Sequence, residues 1–363
     1  MHKQVLLIVS LLVSSTYVQS QELQMDFETY DPPSTLVVPE HILTKSKYPF
    51  IDVHNHQWRM GSMDLTDLTS EMDKMNMAVL VNLSGGNGER LKEMTENAKN
   101  NFPERFIVFA NVDFKGIGEN NWADLAVEQL ANDVKNGAKG LKIYKSLGLS
   151  IQDKNNQRLA VDDPRIDPIW KKCGELGIPV LIHSADPAPF WDEHDEENER
   201  WLELKQKPGR KRSDTNPAPW EQIISEQHNV FKKHPDTQFI NAHLGWYGND
   251  LEHLGKLMDE MPNMYTEIGA VLAELGRQPR AARAFLIKYQ DRVMFGKDSW
   301  NPEEYHVYFR VLETKDEYFD YYRRRHAFWK MYGLDLPDDV LKKIYYKNAI
   351  EIIPGIDKSL FPD

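Results

Sequence analysis

Eight short runs rich in β-branched and aromatic residues, each followed by a longer stretch with helical periodicity, constrain this chain more than any other feature. The runs lie at 50–54, 78–83, 106–112, 140–144, 179–183, 238–243, 264–268 and 293–295. Amphipathic patterns at 64–75, 89–100, 122–136, 164–176, 220–234, 249–261 and 280–289 fall between them. Alternation of this number over about 250 residues is what a (β/α)₈ TIM barrel, an α/β fold, needs. A doubly wound sheet alternates in the same way but carries a glycine-rich phosphate loop after its first strand. None follows the first run; Ser84-Gly-Gly-Asn-Gly88 comes after the second, lacks the Lys-Ser/Thr of a P-loop, and reads as a strand-to-helix turn. A barrel domain over 49–363 is therefore expected.

The segments outside that pattern read differently. Lys3, an almost unbroken apolar run over 5–13 and Tyr17-Val-Gln-Ser20 before Gln21 make residues 1–20 a secretory signal peptide. That run is short for a membrane span. An exported protein, periplasmic or secreted, with no membrane contact in its mature form is the expectation. Residues 21–48, polar and carrying Asp31-Pro-Pro-Ser34, form an N-terminal arm. With Cys173 the sole cysteine, an exported chain of this kind has no internal disulfide and relies on its core. A formal charge of −12 argues against nucleic acid as a partner. It leaves an anionic small molecule open, because charge in a pocket can oppose the global field.

Chemistry concentrates at the C-terminal ends of the runs, where such barrels build their sites. The first ends in His54-Asn-His56, and strand residues two apart share a face. The fifth ends in His183, the sixth in His243, and the eighth continues as Gly296-Lys-Asp298. Neutral imidazoles with one carboxylate suit a divalent transition metal with an open position, Zn²⁺ first and Mn²⁺ second. Nothing here calls for an organic cofactor. Two long connections, 184–219 after the fifth run and 300–338 after the eighth, read as lids or substrate walls. The second holds an aromatic, helix-like stretch over 305–332.

The ordered set Ile51-Asp-Val-His-Asn-His56, Gly140-Leu-Lys-Ile-Tyr144, Gly177-Ile-Pro-Val-Leu-Ile-His183, Asn241-Ala-His-Leu-Gly245, Phe295-Gly-Lys-Asp298 and Lys347-Asn-Ala-Ile350 resembles the amidohydrolase superfamily. The resemblance is to its amidohydrolase-related branch of metal-dependent TIM-barrel hydrolases and decarboxylases. It implies metal binding by His54, His56 and His183, with Asp298 completing the shell or taking a proton from the bound water. It implies that His243 stands beside the metal, either as a catalytic group or as a support for the groups that hold the ion. The common Gly-Thr-Asp appears as Gly-Lys-Asp, which sets the Lys297 ammonium next to the carboxylate and is expected to lower its proton affinity. Lys142 is open to three readings: a binder of an anionic substrate group, a carbamate bridging two metals, or an ion-paired structural lysine. Arg59, Tyr144, Trp246 and Glu267 are the further candidates for substrate contact.

The expected function is hydrolysis of a small organic amide, ester or lactone by a metal-activated water. The rival is metal-dependent, non-oxidative decarboxylation of an aromatic or unsaturated acid, and a second is a non-catalytic binding protein on the same scaffold. The partner expected is a small-molecule substrate, and the resemblance leaves room for a homodimer.

Overall fold

The computed structural model describes residues 25–325 and 328–362. The expected signal peptide lies outside the described residues. Residues 25–35 are described by themselves and hold one turn, in which Thr29 N donates to Asp26 O at 3.0 Å. The remainder, Leu36–Asp363, forms one compact unit.

Nine parallel strand segments carry that unit: β1 Phe50–Asn55, β2 Met77–Asn82, β3 Phe106–Val108, β4 Ala110–Asn111, β5 Leu141–Ile143, β6 Val180–Ile182, β7 Phe239–Asn241, β8 Met264–Glu267 and β9 Val293–Met294. They pair in sequence order, β1 to β3 and then β4 to β9. The count is nine because the third run bends at Phe109. Phe109 N donates to Asn82 O on one side, and Ala110 N donates to Gly140 O on the other. The Phe109 ring lies where a Cβ on Gly140 would stand, at 2.4 Å, so only glycine fits the start of the next strand. Between β9 and β1 no strand ladder forms, yet Val53 N donates to Phe295 O and Asp298 N to His54 O, at 3.0 and 2.6 Å. Those two bonds bring the last strand against the first, and the architecture is the α/β TIM barrel expected.

Strands buried on both faces need apolar side chains throughout, and every residue of β1 is buried. Its polar exceptions are Asp52, His54 and Asn55. Asn348, in the closing Lys347-Asn-Ala-Ile350, donates to Gln290 O and Val293 O at 2.7 Å and so locks the base of β9.

Two expectations need correction. The sixth run does not reach His243 as a strand: β7 stops at Asn241, and His243, Leu244, Gly245 and Trp246 turn in left-handed conformations. The aromatic stretch after β9 is not one helix. The helix Pro302–Glu313 ends, and Phe319–Asp320 pairs antiparallel with Lys330–Met331. Phe319 and Tyr321 are buried while Asp320 is exposed, a period of two that marks a strand. Residues 36–48 run along the unit, where His41 N and Nδ1 both donate to Asp316 at 2.6 Å. Among the described residues no helix is long and apolar enough to cross a membrane.

Candidate metal centre

The strand ends bring His54, His56, Lys142, His183, His243, Glu267 and Asp298 to one mouth. Ligand atoms of His54, His56 and Asp298 lie within 4.8 Å of one another, as do those of His54, His243 and Glu267. His54 Nε2 is 3.3 Å from Asp298 Oδ1, and His56 Nε2 is 3.8 Å from the same oxygen. His183 stands on the far side of His243, its Nδ1 3.3 Å from His243 Nε2.

Hydrogen bonds fix which nitrogen each imidazole leaves bare. A carboxylate accepts only, so His54 Nδ1 donates to Glu267 Oε1 at 2.9 Å and its Nε2 keeps a lone pair. The Tyr144 hydroxyl donates to Leu83 O at 3.0 Å, and Ser84 Oγ therefore donates to Tyr144 at 3.2 Å. Ser84 Oγ then accepts from His56 Nδ1 at 2.8 Å, which leaves His56 Nε2 bare. On the other side His243 Nδ1 donates to Gly269 O at 2.7 Å, so its Nε2 accepts from His183 Nδ1. The His183 Nε2 left over is buried and has no partner among the described residues. Three imidazoles thus offer Nε2 lone pairs, two of them facing a carboxylate. A buried, unpartnered nitrogen and this donor set fit a divalent transition metal.

Electrostatics favour the same states. Burial, then the Lys142 charge, pushes His54 well below the usual imidazole range and His56 to about 4. Burial followed by His243 does the same to His183. All three are neutral at pH 7, as ligands must be. Burial alone would raise Asp298, but His54, His243, His56 and Lys142 together bring it to about 2, so it is ionised. Lys142, 1 % exposed with Nζ 3.5 Å from His54 Nε2, is lowered by burial to about 7 despite Asp298 and Glu267. A cavity of about 300 Å³ lies beside it, lined in part by Asp113, Lys115, Lys142, Tyr144 and Gln152.

Several expected contacts have a different place. Glu267 is fully buried and accepts from His54 Nδ1 and from the backbone N–H groups of His243 and Gly269. Both its oxygens are engaged in these bonds, which orient the His54 ring and the His243 turn. The Tyr144 hydroxyl is likewise occupied, and its ring stacks on His56 at 5.7 Å. Arg59 is exposed on the turn after β1, while its neighbour Trp58 stacks on His56 at 5.6 Å. His243 has both nitrogens engaged, Nδ1 with Gly269 O and Nε2 with His183 Nδ1. Trp246 walls the mouth, stacked on His243 at 4.6 Å with Nε1 donating to Ser184 O. Lys297 does not sit beside the carboxylate. Its ammonium turns away to Glu304 and Ser299, where Asp298 bends the chain with a φ of +79°, and the imidazoles depress Asp298 instead.

Two functional residues escaped sequence reading. Ser84, within the glycine-rich turn, fixes His56. Asp52 accepts from His54 N, Lys297 N, Asn55 Nδ2 and the Tyr305 hydroxyl, and so ties the His-x-His end of β1 to the Asp298 turn. A carboxylate inside an otherwise apolar run was the signal for it.

A parallel barrel with a His-x-His strand end, further imidazoles and a last-strand Asp defines a metal-dependent TIM-barrel class. The chain belongs to the amidohydrolase family, whose model matches residues 51–354. Among solved structures it is similar to an uncharacterized TIM-barrel protein from Bordetella bronchiseptica, at 15% identity and TM-score 0.52, covering 84% of this chain and 97% of that one. It is similar to a 2,6-dihydroxybenzoate decarboxylase complexed with 2,6-dihydroxybenzoate, at 15%, 0.52, 84% and 99%. A third is a dihydroxybenzoic acid decarboxylase from Polaromonas sp. JS666 with bound manganese and 2-nitroresorcinol, at 15%, 0.51, 84% and 96%. At such identity these likenesses show the fold. No curated protein matches.

Proposed function

We propose that the protein is an exported, metal-dependent hydrolase of a small organic amide, ester or lactone. One observation carries the reading: two imidazole Nε2 atoms, each with its other nitrogen tied down, lie 3.3 and 3.8 Å from an ionised carboxylate that solvent reaches. His54, His56, His183 and Asp298 would hold the ion, taken here as Zn²⁺. When bound, the ion supplies an acidified water and a polarised carbonyl.

The chain's own residues do the rest. Asp298, held at about 2, is a weak base that takes a proton only from an acidified donor and returns it readily to a leaving group. Lys142, close to neutrality, offers N–H donors to an anionic oxygen of the substrate. Glu267 and Ser84 hold two imidazoles in register, and His243 holds the third. Trp58 and Trp246 flank the opening, and the cavity beside Lys142 suits a small molecule.

The test loads the purified protein with Zn²⁺ or Mn²⁺ and assays a lactone, ester and amide panel for acid release, beside aryl carboxylates for CO₂. Hydrolysis with metal bound supports the proposal; CO₂ release with a silent hydrolysis panel replaces it with decarboxylation. Silence in both, with a ligand tightly held, favours a binding protein. His183→Ala is expected to lose metal with the fold intact. Asp298→Asn is expected to cut turnover by about a hundredfold or more with a smaller loss of metal. Equal metal content in wild type and His183→Ala refutes the ligand assignment. Export is checked by N-terminal sequencing of the secreted protein, which should begin at Gln21.

A further inference from the structure

Acidic overall, the protein nonetheless gathers positive charge where its two long rim segments meet. Lys207 and Arg210 come from the segment after β6, Arg323 and Arg325 from the segment after β9. One carboxylate, Glu203, is shared: it accepts from Arg200 and Arg210 and lies 3.8 Å from Arg325. Arg200 also pairs with Glu274, so three guanidinium groups share two carboxylates, and with Lys207 and Arg323 added the neighbourhood is positive. Its effect is felt at the exposed Lys207, whose ammonium is pushed below its usual range by Arg325 and Arg210.

Arg323 differs from its neighbours. It does not touch Glu203, and among the described residues it makes no hydrogen bond or ion pair, only a cation–π contact with the Tyr322 ring at 5.4 Å. The nearby Glu304 is already taken by Lys297. Beside Arg323, among the described residues, the buried Tyr322 hydroxyl meets no hydrogen-bond partner within 3.5 Å, and Arg325 Nε has only the longer ion pair with Glu203 at 3.8 Å. Half-buried cations and hydroxyls left in this state are costly unless something completes them.

Contacts lead from this cluster to the metal centre. Lys297 Nζ is 5.2 Å from the Tyr322 ring and 3.3 Å from Ser299 Oγ, one residue past Asp298. Tyr308, 6.4 Å from Tyr322, accepts from Ala270 N at 3.1 Å, and the adjoining Gly269 carbonyl is the one that takes His243 Nδ1. The cluster therefore packs against the turns that follow β8 and β9.

We propose that Arg323, with the Tyr322 hydroxyl and Arg325 beside it, forms an anion subsite on the rim that binds a carboxylate group of the substrate remote from the reacting bond. This rests on the mouth being the site of a small organic substrate. The planar guanidinium matches a carboxylate in a two-point hydrogen bond, and the tyrosine hydroxyl supplies a further donor. Clamping the rim is the work of Arg200, Arg210 and Arg325 through Glu203, and Arg323 has no part in it.

Calorimetric titration with benzoate and its neutral counterpart benzamide tests the subsite. Wild type, Arg323→Gln and Arg323→Lys are compared, each as isolated and after chelation, with metal content and thermal unfolding measured alongside. In Arg323→Gln benzoate should weaken by about tenfold, the loss of a charge-assisted hydrogen-bond pair. Benzamide binding, metal content and unfolding should not move, the lysine variant should retain part of the affinity, and the Arg323-dependent event should survive chelation. Equal benzoate affinity in wild type and Arg323→Gln, or no benzoate binding by wild type at millimolar concentration, overturns the subsite. Arg323-dependent binding in a protein that takes up no metal sinks the hydrolase reading alone, and a metal-loaded, active protein indifferent to Arg323→Gln sinks the subsite alone.

Discussion

An imidazole gives a metal one nitrogen, and whatever holds the other nitrogen decides which one that is. Here three different acceptors do so: the Glu267 carboxylate for His54, the Ser84 hydroxyl for His56 and the His243 ring for His183. Ser84 is the least conspicuous and the easiest to remove cleanly. Ser84→Ala leaves His56 Nδ1 without its acceptor and frees the ring to flip or change tautomer. Metal affinity, read by competition with a chromophoric chelator, should fall about tenfold, within the range for outer-shell losses. Unaltered affinity would mean that the stacked rings of Trp58 and Tyr144 alone hold His56. The histidines themselves were legible in the sequence, because alternation along a strand places His54 and His56 without further information. Their acceptors were not, since Ser84 looked like part of a turn and Glu267 like a substrate contact, and only folding reveals that Glu267 faces His54 across 213 residues.

Strands position these side chains only if their ends are tied together, and the β1–β9 seam is where this barrel has the fewest ladder bonds. Asp52 compensates by accepting from both sides of that seam, and Gly296 lets the seam close. A Cβ at Gly296 would fall 2.2 Å from Glu267 Oε2 and 3.1 Å from His54 Cβ. Gly296→Ala must therefore push Glu267 off the position from which it aims His54. Stability in urea should drop by about 1–3 kcal/mol, as for overpacking elsewhere, and metal affinity should drop with it. A variant as stable and as metal-avid as wild type would show that the seam is looser than drawn. At this scale the strand and helix order was readable, because two- and 3.6-residue periods differ over any window of a dozen residues. The bend at Phe109, the left-handed turn carrying His243 and the hairpin after Glu313 were not. Each depends on what packs opposite: Gly140 under the Phe109 ring, Glu267 on the His243 amide, and buried partners for Phe319 and Tyr321.

For the molecule as a whole, burying titratable groups couples the site to stability, and the signs oppose one another. His56 is held at about 4, below its ordinary 6.5, so the unfolded chain binds a proton that the native state refuses in that interval, and stability is lost as pH falls through it. The contribution is on the order of 3 kcal/mol. His54 and His183, pushed further down by burial, act in the same direction. Asp52 works against them: burial raises it to about 6 from 3.8, so its ionised form penalises the native state above that interval and relief comes on acidification. Its size matches that of His56, which leaves His54, His183 and the buried His228, also held at about 4, to decide the outcome. Metal-free protein should therefore lose a few kcal/mol between pH 6.5 and 4.5 in urea unfolding. Asp52→Asn, which removes the opposing carboxylate, should make the fall steeper. A flat profile, or stability that grows on acidification, would show that burial does not hold these imidazoles neutral, and the lone pairs assigned to the metal would lose their physical basis.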